Sequence, residues 1–191
     1  MLNVIKQLKP KHFKEMAAIE AKYYSGDFIT DWEDAYEWYL YSEDTCVAVA
    51  EQNQVVAFMN LFPISDQFYN LIETGATHDG YLELSDVHRV RDALQSCYSL
   101  FLSCLAVHPS FRKTDALNLV IKEYANRYLS YVGQGISFNK VITHNVTQDG
   151  ARFSERMGFN QINILENNTT VAQAQFDCFI HAMCNRGGLL P

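Results

Sequence analysis

Apolar positions along the chain switch repeatedly between the two-residue period of a strand and the three-to-four-residue period of a helix, with no internal repeat. Val4 to Leu8 reads as a short strand. Pro10 opens a helix with Phe13, Met16, Ala17, Ala21 and Tyr24 on its apolar face, and Gly26 closes it. A second helix starts at Thr30, paired with Glu33 as a capping box, and turns Trp32, Ala35, Tyr36, Tyr39 and Leu40 inward. Thr45 to Ala50 and Val55 to Phe62 read as an antiparallel hairpin with Asn53 in the turn. Between 65 and 97 the pattern changes: a helix over Ser65 to Glu73, a polar Gly-bearing stretch, then a helical pattern over Ser85 to Leu94. That stretch reads as an insertion or lid.

The next block is the most regular. Tyr98 to Val107 is a strand buried on both faces, 108–113 a polar loop, and from Thr114 a helix carries apolar residues at 117, 120, 121, 124, 125, 128 and 129 up to Gly133. Phe138 to His144 is another strand, and Thr147 caps a helix carrying Phe153 and Met157 that Gly158 closes. A strand, helix and strand of these lengths imply a parallel pair. The tail supplies strands over Gln161 to Leu165 and Gln175 to Met183, joined by a turn over 166–170.

A loop that leads from a parallel strand into a helix is where backbone N–H groups and the helix dipole favour an anion. Arg112 and Lys113 add charge there. The segment Leu105-Ala-Val107-His-Pro109-Ser-Phe-Arg112, its long helix, and Phe153-Ser-Glu-Arg-Met-Gly158-Phe159 further on resemble the GCN5-related N-acetyltransferase (GNAT) family over nearly the whole chain.

The resemblance implies an α+β (mixed α/β) fold in one domain over 1–191. It would have a central, mostly antiparallel sheet, a parallel central strand pair splayed for acetyl-CoA, and helices on both faces. The backbone of Leu105, Ala106 and Val107 would then hold the pantetheine arm and polarise the thioester carbonyl. The amides of Arg112, Lys113, Thr114, Asp115, Ala116 and Leu117 would hold the pyrophosphate, and Asn145 the pantetheine amides. This chain departs from the family's loop in having neither of its glycines, and it carries Ser154 where the family has a tyrosine that protonates the leaving thiolate. The strand before the loop lacks a carboxylate, so the candidates for a base are Glu83, Asp86 and His88 in the insertion, or His144. The activity implied is transfer of acetyl to a primary amine of a small molecule or peptide by direct attack. A GNAT-like module that binds CoA in a regulatory role is the alternative.

Composition narrows the partners. The 191 residues carry 15 Lys and Arg against 22 Asp and Glu, a charge of −7, whereas a nucleic-acid binder needs clustered surplus cation. Hydrophobic residues make up 48% of the chain, which excludes disorder. No apolar run approaches the roughly 20 residues of a membrane span, and the first residues lack a signal-peptide pattern. Five scattered cysteines without a Cys-x-x-Cys pair fit a reduced, cytoplasmic setting. The six histidines lack metal-ligand spacing, so no metal is expected. Homodimerisation through the last strands is a further expectation of this reading.

Overall fold

The computed structural model describes residues 1–24, 26–90, 97–165 and 167–189. Among these, seven strands form one sheet: β1 (Leu2–Val4), β2 (Val47–Glu51), β3 (Gln54–Ile64), β4 (Cys97–Val107), β5 (Ser137–Asn145), β6 (Asn160–Ile164) and β7 (Thr170–Gln175). Their spatial order is β1-β2-β3-β4-β5-β7-β6, and only β4 and β5 run parallel. The helices are α1 (Pro10–Glu20), α2 (Trp32–Tyr41), α3 (Asp66–Thr74), α4 (Ala116–Gly133), α5 (Gln148–Arg156) and α6 (Phe176–Arg186).

Both faces of the sheet are covered. On one side Val120, Ile121, Tyr124 and Tyr128 of α4 join Phe179 and Met183 of α6 over Met59, Leu61, Leu100, Leu102 and Val141. On the other, Phe13 and Met16 of α1 pack over Phe58, Cys104 and Ala106. Beside them Trp38 of α2 and Phe68 and Ile72 of α3 pack over Phe62, Phe101 and Ile142. The buried Tyr124 and Tyr128 hydroxyls donate to the carbonyls of Met59 and Leu61 at 3.1 Å, tying α4 to β3. Burial raises both phenols well above their ordinary pKa, which keeps them protonated as donors.

Several elements differ from expectation. The first strand is Leu2–Val4 rather than Val4 to Leu8, and Leu8 is instead buried beside α1, its N–H donating to the Tyr39 hydroxyl. Helix α1 stops at Glu20, well before Gly26. Asp31 caps α2 in place of Thr30, accepting from the Glu33 N–H at 3.0 Å, and Trp38 is buried where Leu40 remains 64% exposed.

The helix expected over Ser85 to Leu94 is, as far as residue 90, a 3-10 turn at Leu84–Asp86 followed by a bridge from Val87 to Ile64; 91–94 lie outside the described residues. Asp86 explains the difference, because its carboxylate accepts from Ser65 Oγ and its carbonyl from the Ser65 N–H, pinning the segment to the end of β3. Helix α3 belongs to the packed core.

The tail differs most. The strand expected over Gln175 to Met183 is α6, since Phe176, Phe179, Ile180, Met183 and Cys184 recur at helical spacing and are buried, while the strand itself is Thr170–Gln175.

One irregularity shapes the middle of the sheet. Asn60 pairs with Cys104 but Leu61 pairs with Leu102, so Ser103 is an extra residue in β4. Before it Leu100 and Leu102 face α4; after it Cys104 and Ala106 face α1.

Candidate functional site

Strands β4 and β5 pair from Cys97 with Ser137 up to Leu102 with Thr143, and there the parallel ladder ends. Thr143 Oγ1 donates to the Leu102 carbonyl at 2.9 Å at that last step. Beyond it β4 pairs only with β3, and His144 and Asn145 pair only with Val171 and Thr170 of β7. The two central strands therefore fork, leaving the inner edge of Ser103 to Val107 open to a ligand. The extra residue Ser103 sits at the branch point.

A cleft of about 470 Å³ fills the fork. Of the expected cofactor residues, Leu105, Ala106, Val107, Arg112, Leu117 and Asn145 line it; Lys113, Thr114, Asp115 and Ala116 do not. The loop consumes part of its own cradle. The N–H groups of Arg112 and Thr114 donate to the Pro109 and Phe111 carbonyls, and the Ala116 N–H donates to Thr114 Oγ1. Asp115 is exposed and its side chain caps nothing.

Cation enters instead from residues that sequence spacing did not single out: Arg152 and Arg156 of α5 and Arg186 at the end of α6 line the cleft with Arg112. Burial first, and the neighbouring Arg156 second, lower the Arg186 pKa. Two guanidiniums crowded on one wall favour an anion between them. Asp149 lies 3.5 Å from Arg112 and 3.7 Å from Arg152, joining the loop to α5 across the mouth.

Tyr23 crosses the open strand. Its hydroxyl donates to the Val107 carbonyl at 2.6 Å and accepts from Arg112 Nε at 3.2 Å, with the guanidinium 4.8 Å above its ring. Ser154, buried in α5, donates to Asn145 Oδ1 at 2.7 Å. Its proton is thus engaged with Asn145, whose NH₂ group is left for a ligand. The cap that starts α5 also works at this wall, since Thr147 Oγ1 accepts from the Gly150 N–H at 3.1 Å.

His144 projects on the α1 side of the fork, in contact with the rings of Phe28 and His78. Its Nε2 lies 2.6 Å from Thr169 Oγ1, and that hydroxyl donates to Asn167 Oδ1 at 2.6 Å. A hydroxyl has one proton to give, so in this pair His144 Nε2 donates and Thr169 Oγ1 accepts. Glu83 lies on the surface outside the cleft, bonded to Ser85. Asp86 is engaged with Ser65, and the His88 N–H donates to the Pro63 carbonyl.

Glu20 escaped the sequence reading altogether. It is only 5% exposed and, with Tyr24, Ser103 and His144, walls a small cavity beside the fork. A signal did exist, since Glu20 stands seven residues after Phe13 and four after Met16, on the buried stripe of α1.

No protein-family model matches the sequence, and no curated protein does. Solved structures do. The loading GNATL domain of CurA from Lyngbya majuscula aligns with a TM-score of 0.65 and 11% identity, covering 93% of this chain and 98% of that one. The GphF GNAT-like decarboxylase in complex with isobutyryl-CoA gives 0.62 and 12%, over 92% and 98%. Ard1 from Thermoplasma volcanium gives 0.59 and 11%, over 91% and 97%. Identity this low establishes the architecture, and the architecture is the GNAT fold.

Proposed function

We propose that the protein is an N-acetyltransferase that moves acetyl from acetyl-CoA to a primary amine by direct attack. The observation that carries this reading is the fork: a cleft between two parallel strands with an open strand edge, an arginine-lined wall, and His144 at its far side. Similarity to folds solved with an acyl-CoA supports it. In this reading the pyrophosphate meets Arg112, Arg152, Arg156 and Arg186, and the Asn145 amide donates to the pantetheine arm. The N–H groups of the open β4 edge polarise the thioester carbonyl.

An alkylammonium with a pKa of about 10.4 must lose a proton before it attacks. His144, which lines the cleft, is the residue proposed for that step, directly or through water. With Ser154 committed to Asn145, the thiolate takes the proton that the attacking nitrogen releases as the amide forms. The decisive experiment is calorimetry with acetyl-CoA followed by thiol release across amino acids, polyamines, aminoglycosides and peptide N-termini. Micromolar binding and turnover of one class support the reading. Absence of binding at millimolar ligand removes it.

One arrangement favours a second reading, a CoA-binding module without catalysis. Tyr23 occupies the Val107 carbonyl, and Asp149 occupies Arg112 and Arg152. Tight binding with no turnover of any amine would select that reading.

A further inference from the structure

Four of the chain's 15 Lys and Arg line the cleft, although the net charge is −7. They do not share one environment. Arg112 and Arg152 both pair with Asp149, at 3.5 and 3.7 Å, and Asp149 is the one acid among the described residues that line the cleft. Arg156 and Arg186 form no ion pair among the described residues. A helix end favours a cation, and these two are the last residues of α5 and α6. That accounts for one arginine on each helix. It does not account for both reaching the same cleft, where burial first and the Arg156 charge second lower the Arg186 pKa. Phe153, also in the cleft wall, supports Arg186 there, with the guanidinium 5.6 Å from its ring. Like charges held together without an acid make a place for an anion.

We infer that Arg156 and Arg186 form a second anion subsite that takes the 3′-phosphate of CoA, so that the protein distinguishes CoA from 3′-dephospho-CoA. The inference rests on the acetyl-transfer reading above and divides its arginine wall in two. CoA carries more anion than its diphosphate bridge, because the ribose 3′ oxygen bears a phosphate monoester with a charge of about −1.5 to −2 at pH 7. Its terminal oxygens accept charge-assisted hydrogen bonds from guanidiniums. Arg112, in the loop before α4, and Arg152, joined to it through Asp149, are left for the diphosphate. The division follows the acid. Asp149 tempers the arginines that meet a diester bridge with a single charge on each phosphate, and the pair without an acid meets the phosphate of higher charge.

The test is calorimetry with CoA and with 3′-dephospho-CoA as separate titrants, on wild type, Arg156→Gln, Arg186→Gln and Arg112→Gln. Both arginines of the pair are exposed, and an exposed ion pair contributes up to about fivefold. Wild type is therefore expected to bind CoA about tenfold tighter than 3′-dephospho-CoA at low salt, with the ratio narrowing in high salt. In Arg156→Gln or Arg186→Gln, CoA weakens while 3′-dephospho-CoA is unchanged, and the ratio falls to about threefold. In Arg112→Gln both ligands weaken together and the ratio holds. Each ratio is taken on one preparation, so a partly unfolded variant changes the stoichiometry and leaves the ratio alone.

Equal affinity of wild type for the two ligands overturns the inference, as does an Arg156→Gln or Arg186→Gln variant that keeps the wild-type ratio. Wild type that binds CoA, acetylates an amine and ignores the 3′-phosphate defeats the subsite alone. Discrimination between the ligands without turnover of any amine keeps the subsite and selects the module without catalysis. Wild type that binds neither ligand at millimolar concentration defeats the acetyl-transfer reading and the subsite with it.

Discussion

Replacing Ser154 with alanine separates a proton donor from a positioning hydroxyl. Ser154 Oγ donates to Asn145 Oδ1 at 2.7 Å, with Ser154 2% and Asn145 8% exposed. Ser154→Ala deletes the donor and strands a buried carbonyl oxygen, a loss of about 1–3 kcal/mol. The bond is short and both residues are buried, so we take about 2 kcal/mol, which for a chain of this size lowers Tm by about 4–8 °C. The functional consequence follows from what Asn145 then does. Released from Ser154, its amide samples other rotamers, and a loss of about 1 kcal/mol of orientation weakens acetyl-CoA about fivefold.

If Ser154 acted instead as the acid for the leaving thiolate, kcat would fall by about 100-fold or more with acetyl-CoA affinity intact. Calorimetry, thermal unfolding and steady-state kinetics on Ser154→Ala, Asn145→Ala and the double variant distinguish the two. Positioning predicts weaker binding, a kcat within about threefold of wild type, and a double variant barely worse than Asn145→Ala, because the pair acts as one unit. A large kcat loss at unchanged Tm and unchanged affinity would refute the reasoning.

Three further outcomes follow. Asp149→Asn releases Arg112 and Arg152 from pairs that are more than half exposed at the aspartate. Since such pairs contribute no more than about 1 kcal/mol, acetyl-CoA should bind up to about fivefold tighter at low salt, and titrations repeated in high salt should lose the gain. Gly158 closes α5 at φ +85°, and an added Cβ would meet Cys178 at an ordinary 3.7 Å; Gly158→Ala should therefore cost only the left-handed strain of about 1–2 kcal/mol, visible in Tm. Burial first, then Lys11, lowers the pKa of His12 below 6.5, and its Nδ1 accepts from the Lys9 N–H. The neutral ring is the folded form, so its contribution is complete above pH 6.5 and is lost as pH falls through the lowered value. Urea unfolding at pH 7 and pH 5 should show a smaller acid loss in His12→Gln than in wild type.

The middle of the chain was readable because each element there satisfies local and tertiary demands together. Val120, Ile121, Tyr124, Ala125 and Tyr128 mark a helix by period and are also the residues buried on the sheet. The tail was harder. Thr170–Gln175 alternates weakly and lies among asparagines, while Phe176 to Met183 is rich in residues that suit a strand as well as a helix, so only tertiary burial decides between them. The site divides along the same line. His144 could be named as a candidate because it ends a recognisable strand, and Asn145 and Ser154 because that strand and the Gly158-Phe159 pair mark their places in the GNAT resemblance. Tyr23 and Arg186 reach the cleft through the positions of their chain segments relative to β4, information that pairwise spacing does not carry. The fork itself depends on a one-residue mismatch between β3 and β4, which no alternation within β4 alone can reveal.

The loop without glycines and the arginine wall are two consequences of one arrangement. Glycine in such a loop lets the backbone approach a phosphate closely, so that N–H groups carry the contact. Here the Arg112, Thr114 and Ala116 N–H groups are already bonded within the loop, which makes glycine unnecessary and leaves fewer amides for an anion. Charge must then come from side chains, and it does, from three separate elements: Arg112 after β4, Arg152 and Arg156 on α5, and Arg186 on α6. Guanidiniums reach further than amides and tolerate an imprecise loop, but their attraction is screened by salt where they are exposed. The pyrophosphate site proposed for this chain should accordingly be more sensitive to ionic strength than one built from backbone amides, and Asp149, pairing with two of those arginines, sets how much of that attraction an incoming anion meets.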